Sequence, residues 1–182
     1  VSNWGSRSVS LIDTETHRRV REFTVGLRPN DMKLAPDGRL FVACAGDNTV
    51  HVIQTRTLEE EAVPASPARR LWDKTREIIS TSLYPQSPEG STPDAVAVSA
   101  DGKTLFIANA DNNSVMVVDI SNPNTSVVNG FIPVGWYPTA VRMRPGRGEF
   151  LVATGKGAGS VPSANTPADT AAWCRYITYS PA

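Results

Sequence analysis

Three residues of different chemistry hold the same place relative to a proline. Asn30, Asp94 and Thr139 directly follow Pro29, Pro93 and Pro138, and Asp31 comes next after Asn30. An amide, a carboxylate and a hydroxyl at equivalent points of a repeat can converge on a small polar molecule or a cation. They can equally cap the strands they open, by bonding to nearby backbone groups. Trp136 and Tyr137 precede the third proline. They suit an aromatic lip beside such a site, although Trp136 could instead fill a gap between repeat units. Lys156 lies in the run GKGAGS, 155–160. Its glycines leave backbone N–H groups open to an anion. The run lacks the G-x-x-x-x-G-K-[ST] spacing of a phosphate loop, so it also reads as a plain loop at the edge of a unit.

Other reactive residue types are present but not assembled. His17 stands in a polar turn sequence, and His51 alternates with Val50 and Val52 at a position shared with Ser10 and Met116. Two distant histidines make no two-His metal motif, and His51 reads as a packing residue. There is no G-x-S-x-G elbow around any serine. Asp37, Asp47, Asp101 and Asp111 sit in turn sequences, where aspartate bonds its own backbone. Asp13 and Asp119 end apolar runs, and Glu59–Glu61 is a solvated charge run. Cys44 and Cys174 are too few for a disulfide framework or a four-ligand zinc site. Cys44 reads as a small buried residue, and a bond between the two depends on geometry. The sequence therefore supplies no catalytic constellation, no metal site and no cofactor motif.

The elements that must position the proline-led residues are short and repeated. Residues 29–53 read PNDMKLAPDGRLFVACAGDNTVHVI, 93–118 read PDAVAVSADGKTLFIANADNNSVMVV, and 138–154 read PTAVRMRPGRGEFLVAT. RSVSLIDT at 7–14 matches NTVHVIQT at 48–55, which adds an incomplete copy at the start. Surplus residues separate the second copy from the third, between Gln54 and Thr92. Within a copy the first strand alternates, at Met32 and Leu34 or Val96 and Val98. A turn with Asp-Gly follows, at 37–38 and 101–102; this pair is a strong hairpin signal because glycine accepts positive φ. The second strand is apolar on both faces, Leu40–Ala43 and Leu105–Ala108, and must be covered on both. Third strands are expected at Val50–Ile53 and Val115–Val118. Less regular fourth strands are expected at Val20–Val25, Ile78–Leu83 and Val127–Val134. A short helix is expected at 67–77, within the surplus residues.

Four-stranded units covered on both faces are blades of a β-propeller. The expected fold class is all-β: a partial propeller of about three to four antiparallel blades, a fragment of a larger ring. Two copies closing a six-bladed ring is the alternative. The expected layout is a partial blade at 1–27, a blade at 28–91 with an insertion at 54–91, a blade at 92–136 and a partial blade at 137–160. Residues 161–182 leave the repeat, and 173–179 read either as the strand that begins the next blade or as an altered end. Equivalence of the proline-led positions places Asn30, Asp31, Asp94 and Thr139, with Trp136, Tyr137 and Lys156, at one rim of the central channel.

The chain has 182 residues, with 18 basic and 18 acidic side chains and a formal charge of +0. The balance argues against a nucleic-acid partner, which draws on a basic excess. No apolar run reaches the roughly 18 residues of a membrane span. Apolar residues at 40% are enough for a packed core.

The second-strand motifs Phe41-Val42-Ala43-Cys44, Phe106-Ile107-Ala108-Asn109 and Leu151-Val152-Ala153-Thr154 resemble those of YVTN-type bacterial propeller repeats, as do the PDG turn and Asn113–Asp119. The stretches 82–115, 130–142 and 153–160 are most similar to the propeller found ahead of an alkaline-phosphatase-like phosphoesterase domain. The resemblance covers about residues 1–160. It implies seven blades for the larger ring, a secreted or periplasmic location and a fused phosphoesterase domain as partner. No residue here matches a phosphoesterase metal site. The function expected is a non-catalytic binding or interaction scaffold, with a protein partner or a small polar ligand. The alternatives are a propeller lactonase-like hydrolase with a ligand or metal site at the channel, and a structural surface repeat protein.

Overall fold

The computed structural model describes residues 1–55, 77–84, 87, 90–123, 125–146 and 148–157, and the backbone of Cys174–Thr178. Its strands are β1 (Ser2–Asn3), β2 (Ser8–Ile12), β3 (Arg19–Thr24), β4 (Pro29–Leu34), β5 (Arg39–Cys44), β6 (Thr49–Gln54), β7 (Glu77–Ser80), β8 (Pro93–Val98), β9 (Thr104–Asn109), β10 (Ser114–Asp119), β11 (Val127–Pro133), β12 (Pro138–Met143), β13 (Glu149–Thr154) and β14 (Cys174–Thr178). They form four antiparallel sheets in chain order: β1-β2-β3, β4-β5-β6-β7, β8-β9-β10-β11 and β12-β13-β14. No helix occurs among the described residues. The fold is all-β, with the four-stranded antiparallel blades of a partial propeller.

The two-faced strands behave as their apolar runs require. In β5, Phe41 and Ala43 face the third sheet, while Leu40, Val42 and Cys44 face the first. In β9, Leu105 and Ile107 face the second sheet, and Phe106 and Ala108 face the fourth. Three apolar interfaces thus join four sheets in sequence. Phe106 and Phe150 meet across the last one, ring centroids 4.7 Å apart and tilted by 36°, a favourable aromatic geometry. Arg39 is buried against the ring of Phe41. Its guanidinium donates to Asp37 at 2.6 Å and to the Ile120 carbonyl of the next sheet, so a charge is held between two blades by hydrogen bonds.

The turns explain the rest of the local geometry. Gly38, Gly102 and Gly146 hold φ of 86°, 73° and 72° at the same point of three repeats, a left-handed conformation that glycine adopts without a Cβ clash. Arg7, Asn48 and Asn113 open the third strands β2, β6 and β10, also left-handed, at 57°, 56° and 50°. Asparagine tolerates this conformation better than most residues, and here its side chain also acts. Asn48 Oδ1 accepts from the N–H groups of Ser91 and Thr92 at 2.9 and 3.0 Å. Asn113 Oδ1 accepts from Tyr137 N–H at 2.8 Å. Each asparagine therefore latches one sheet to the chain opening the next.

Several boundaries differ from the sequence expectation. The fourth strand of the second sheet is Glu77–Ser80, earlier than Ile78–Leu83. Glu77 belongs to this strand, where its carboxylate accepts from Ser126 N–H at 2.6 Å. The rest of the helix expected at 67–77 lies outside the described residues, as do Glu59–Glu61 and 158–173. Cys174–Thr178 pairs antiparallel with β13 as the third strand of the last sheet, not as the start of a further blade. The many residues between β13 and β14, where β5 and β6 are joined by a tight turn, conceal that strand from repeat spacing.

Phe106→Ala should lower the stability of the chain by about 3–5 kcal/mol, because it leaves a cavity between two buried faces. Asn48→Ala should cost about 1–3 kcal/mol by stranding one buried and one part-buried N–H donor, with Asn48→Asp closer to wild type. Urea unfolding followed by circular dichroism measures both; an Asn48→Ala chain as stable as wild type would show that the latch carries nothing.

Candidate functional site

The channel-side strands β4, β8 and β12 share one irregularity. Each has a register shift against its neighbour just after its proline: between Pro29 and Asp31, between Pro93 and Ala95, and between Pro138 and Ala140. The residue left over in each case is Asn30, Asp94 or Thr139. A bulge leaves its extra residue outside the ladder and re-aims its side chain. The three proline-led residues are therefore singled out by backbone geometry as well as by sequence position.

Their contacts are not those of strand caps. Asn30 Nδ2 donates across the gap between sheets, to Asp94 Oδ1 at 2.9 Å and to the Asp94 carbonyl at 3.3 Å. Capping of the inner strands falls instead to Asn48 and Asn113. Thr139 is exposed and lies beside the Gly155 turn; a Cβ at Gly155 would stand 3.2 Å from Thr139 Cγ2. Asp31 turns away from this group. Its carboxylate accepts from Val96 N–H at 3.1 Å and from Arg142 Nη1 at 3.2 Å, so it ties together strands of three sheets. Asp31 and Arg142 line a cleft of about 230 Å³ along the inner strands, with Lys33 and Met143.

The loops above the bulges are pinned in the same way in three repeats. The N–H groups of Ala45 and Gly46 donate to the carbonyls of Arg28 and Leu27. Those of Ala110 and Asp111 donate to Thr92 and Ser91, and those of Gly155 and Lys156 to Tyr137 and Trp136. The residue before each proline, Arg28, Thr92 or Tyr137, has φ of 54°, 48° or 58°. These pins place Lys156 Nζ over the Tyr137 ring, 4.5 Å from its centroid. Trp136 is 42% exposed, so part of its ring surface is open to solvent. Thr92 Oγ1 donates to Asp111.

Charge is concentrated at this rim. Burial raises the Asp94 carboxyl above the usual aspartate range; the Asn30 amide opposes the shift and the Asp111 charge adds to it. The Tyr137 hydroxyl is raised too, by burial and then by the charges of Asp94 and Asp111. The sequence reading expected Asn30, Asp31, Asp94, Thr139, Trp136, Tyr137 and Lys156 here, of which Asp31 is engaged instead by Val96 and Arg142. It missed Asp111, read as a turn former, together with Thr92, Arg28 and the latch asparagines. Part of their signal was available, since Arg28 and Thr92 directly precede prolines and Asn48 and Asn113 share one repeat position, but the bonds of Asp111 and Asn48 reach residues distant in sequence.

His17 is exposed in a turn, and His51 is buried, with burial lowering its pKa against the pull of Asp47. Cys44 is a free, fully buried thiol, pushed up to about 12 by burial and the charge of Asp47, hence protonated and unreactive. Asp13, Asp101 and Asp119 are lowered by hydrogen bonds within their own turns, led by Thr16, Ser99 and Ser121. Among the described residues no group of three or more His, Cys, Asp and Glu could hold a metal ion. No helix there is long and apolar enough to cross a membrane.

A carboxyl raised in the folded state favours folding in acid. The contribution is fully present below its unfolded value and is lost as the pH climbs through its folded one. In a carbon-13 titration Asp94 should therefore protonate at higher pH than Asp119. Asp111→Asn should bring the Asp94 midpoint down. An Asp94 midpoint at or below that of Asp119 would contradict the rim geometry.

No protein-family model and no curated protein matches the sequence. Solved structures do. The chain is similar to Kuenenia stuttgartiensis hydrazine synthase at 21% identity and a TM-score of 0.65, over 84% of this chain and 37% of that one. It is similar to the β-propeller domain of Myceliophteria thermophila Cps50 (Swd1) at 12% identity and a TM-score of 0.63, over 84% and 45%. A chain of the mitotic checkpoint complex aligns at 11% identity and a TM-score of 0.62, over 81% and 40%. The chain thus spans less than half the length of these relatives, and what the likeness establishes is the β-propeller fold.

Proposed function

We propose that the chain is a non-catalytic binding or interaction scaffold of the YVTN type, within a longer secreted or periplasmic protein that also carries a phosphoesterase domain. The observation that carries the binding role is the rim. Bulges at three equivalent positions carry the polar residues Asn30, Asp94 and Thr139, and Trp136 beside the third of them is an exposed aromatic, which supports this reading. Exposed aromatic and polar groups gathered on one side are characteristic of recognition surfaces. The second-strand motifs and the PDG turns support the YVTN assignment, and the stretches 82–115 and 130–142 support the phosphoesterase association.

A lactonase-like hydrolase fits the rim less well. It asks for acidic or histidine ligands from several blades. On the inner strands Asp31 is already engaged by Arg142 and Val96, and Asp94 by Asn30. A purely structural repeat protein gives no reason for exposed Trp136.

Extending the coding frame beyond both ends should reveal further proline-led copies and a phosphoesterase-type domain. The purified chain should hydrolyse neither p-nitrophenyl phosphate nor aliphatic lactones, with or without added divalent metals. Chelator-sensitive turnover that disappears in Asp94→Asn would replace this reading with the hydrolase.

A further inference from the structure

We propose that the Tyr137 ring face, with Asp94 and Asp111, forms a seat for the cationic side chain of a partner protein, and that Lys156 is its resident occupant. The proposal rests on the rim being a binding face, and it names the chemistry that the face selects.

The first argument is a comparison within the chain. Three repeats share the same pair of backbone hydrogen bonds at this point, yet they present different side chains: Arg28 with Gly46, Thr92 with Asp111, and Tyr137 with Lys156. Folding of the turn therefore requires neither an aromatic nor a lysine. Where both occur, the ammonium lies over the ring at 4.5 Å, the geometry of a cation–π contact. The same face repeats the theme at its other flank, where the Arg28 guanidinium lies 5.2 Å from the centroid of Trp4.

The second argument is charge. Among the described residues neither Asp94 nor Asp111 has a basic group within ion-pair distance. Asp94 is held by Asn30 and Asp111 by Thr92, both neutral donors. Asn113, two residues beyond Asp111, accepts from Tyr137 N–H at 2.8 Å, which brings the Asp111 turn to Tyr137, and the Asp94 and Asp111 charges add to burial in raising the Tyr137 hydroxyl. An aromatic face beside two carboxylates without counter-charge favours an organic cation. The exposed aromatics of the described residues lie in the same set of loops: Trp4 between β1 and β2, Tyr84 between β7 and β8, and Trp136 between β11 and β12. They give an incoming chain apolar surface around its basic side chain. Lys156 is exposed and tethered by a short turn, so a lysine or arginine from a partner can replace it at little cost.

The test uses three ligands: a lysine-rich hexapeptide, its Nε-acetylated form and a neutral trisaccharide. Each is titrated into the 182-residue chain while the backbone amides of Tyr137 and Trp136 are followed by NMR. The cationic peptide should shift these amides and the acetylated one should not. Lys156→Met removes the competing ammonium and should tighten the peptide about two- to five-fold, the range of an exposed cation–π contact. Asp111→Asn should weaken it. Equal binding of the acetylated peptide, or Lys156→Met binding no more tightly than wild type, overturns the proposal. A shift with the trisaccharide alone sinks the cation seat but keeps a binding rim. Rim amides that respond to none of the three, in wild type and in Lys156→Met, sink both.

Discussion

The structure depends on burying the second strands of the two four-stranded sheets, β5 and β9, on both of their faces. Leu40, Val42 and Cys44 look one way from β5 while Phe41 and Ala43 look the other, and Phe41, Val42, Ala43 and Cys44 have no solvent exposure. A single sheet cannot satisfy such a strand, since each uncovered face would leave several apolar side chains in water, at roughly 1.5–3 kcal/mol for each large one. The only remedy is a neighbouring sheet on each side. Stability is then set by interfaces between successive sheets, as in other repeat architectures.

That stacking leaves the polar work to the ends of the strands. The inner strands bulge directly after their prolines, and the asparagines opening β6 and β10 reach across to the chain that begins the next sheet. Packing fixes the distance between sheets; the latches fix how they are aligned at the rim. Asp31 adds a third tie, joining β4 to β8 and β12 near the channel. The rim side chains are therefore held on a frame whose spacing they do not themselves determine.

Much of this was legible in the residues. The proline-led copies, the two-faced second strands and the Asp-Gly turns predict the blades and their order, because each reports a local rule: pleat period, burial or left-handed φ. The positional equivalence of Asn30, Asp94 and Thr139 was legible too, and each is the bulge residue of its inner strand. What escaped was non-local. Asp111 looks like a turn residue until Thr92, far from it in sequence, is seen to bond it, and Asn48 shows its second role only when Ser91 and Thr92 arrive. Cys174–Thr178 was hard to assign because no spacing rule connects it to β13. The helix expected at 67–77 fared worst at its end, where Glu77 belongs to a strand whose partner lies before the surplus residues.

The repeated backbone pins at the rim have a consequence for how such a surface can diverge. In three repeats the turn following the second strand is fastened to the two residues before the proline by the same pair of main-chain hydrogen bonds, to which Asp47 and Asp111 add side-chain bonds in two of them. Substitution at the other positions leaves those main-chain bonds intact, so Arg28, Thr92 and Tyr137, with Asp111 and Lys156, act as interchangeable sockets on a constant chassis, whereas at Gly46 a Cβ would stand 2.8 Å from Leu27 Cβ. A lineage could rewrite its preferred guest one socket at a time without reopening the hydrophobic seams beneath.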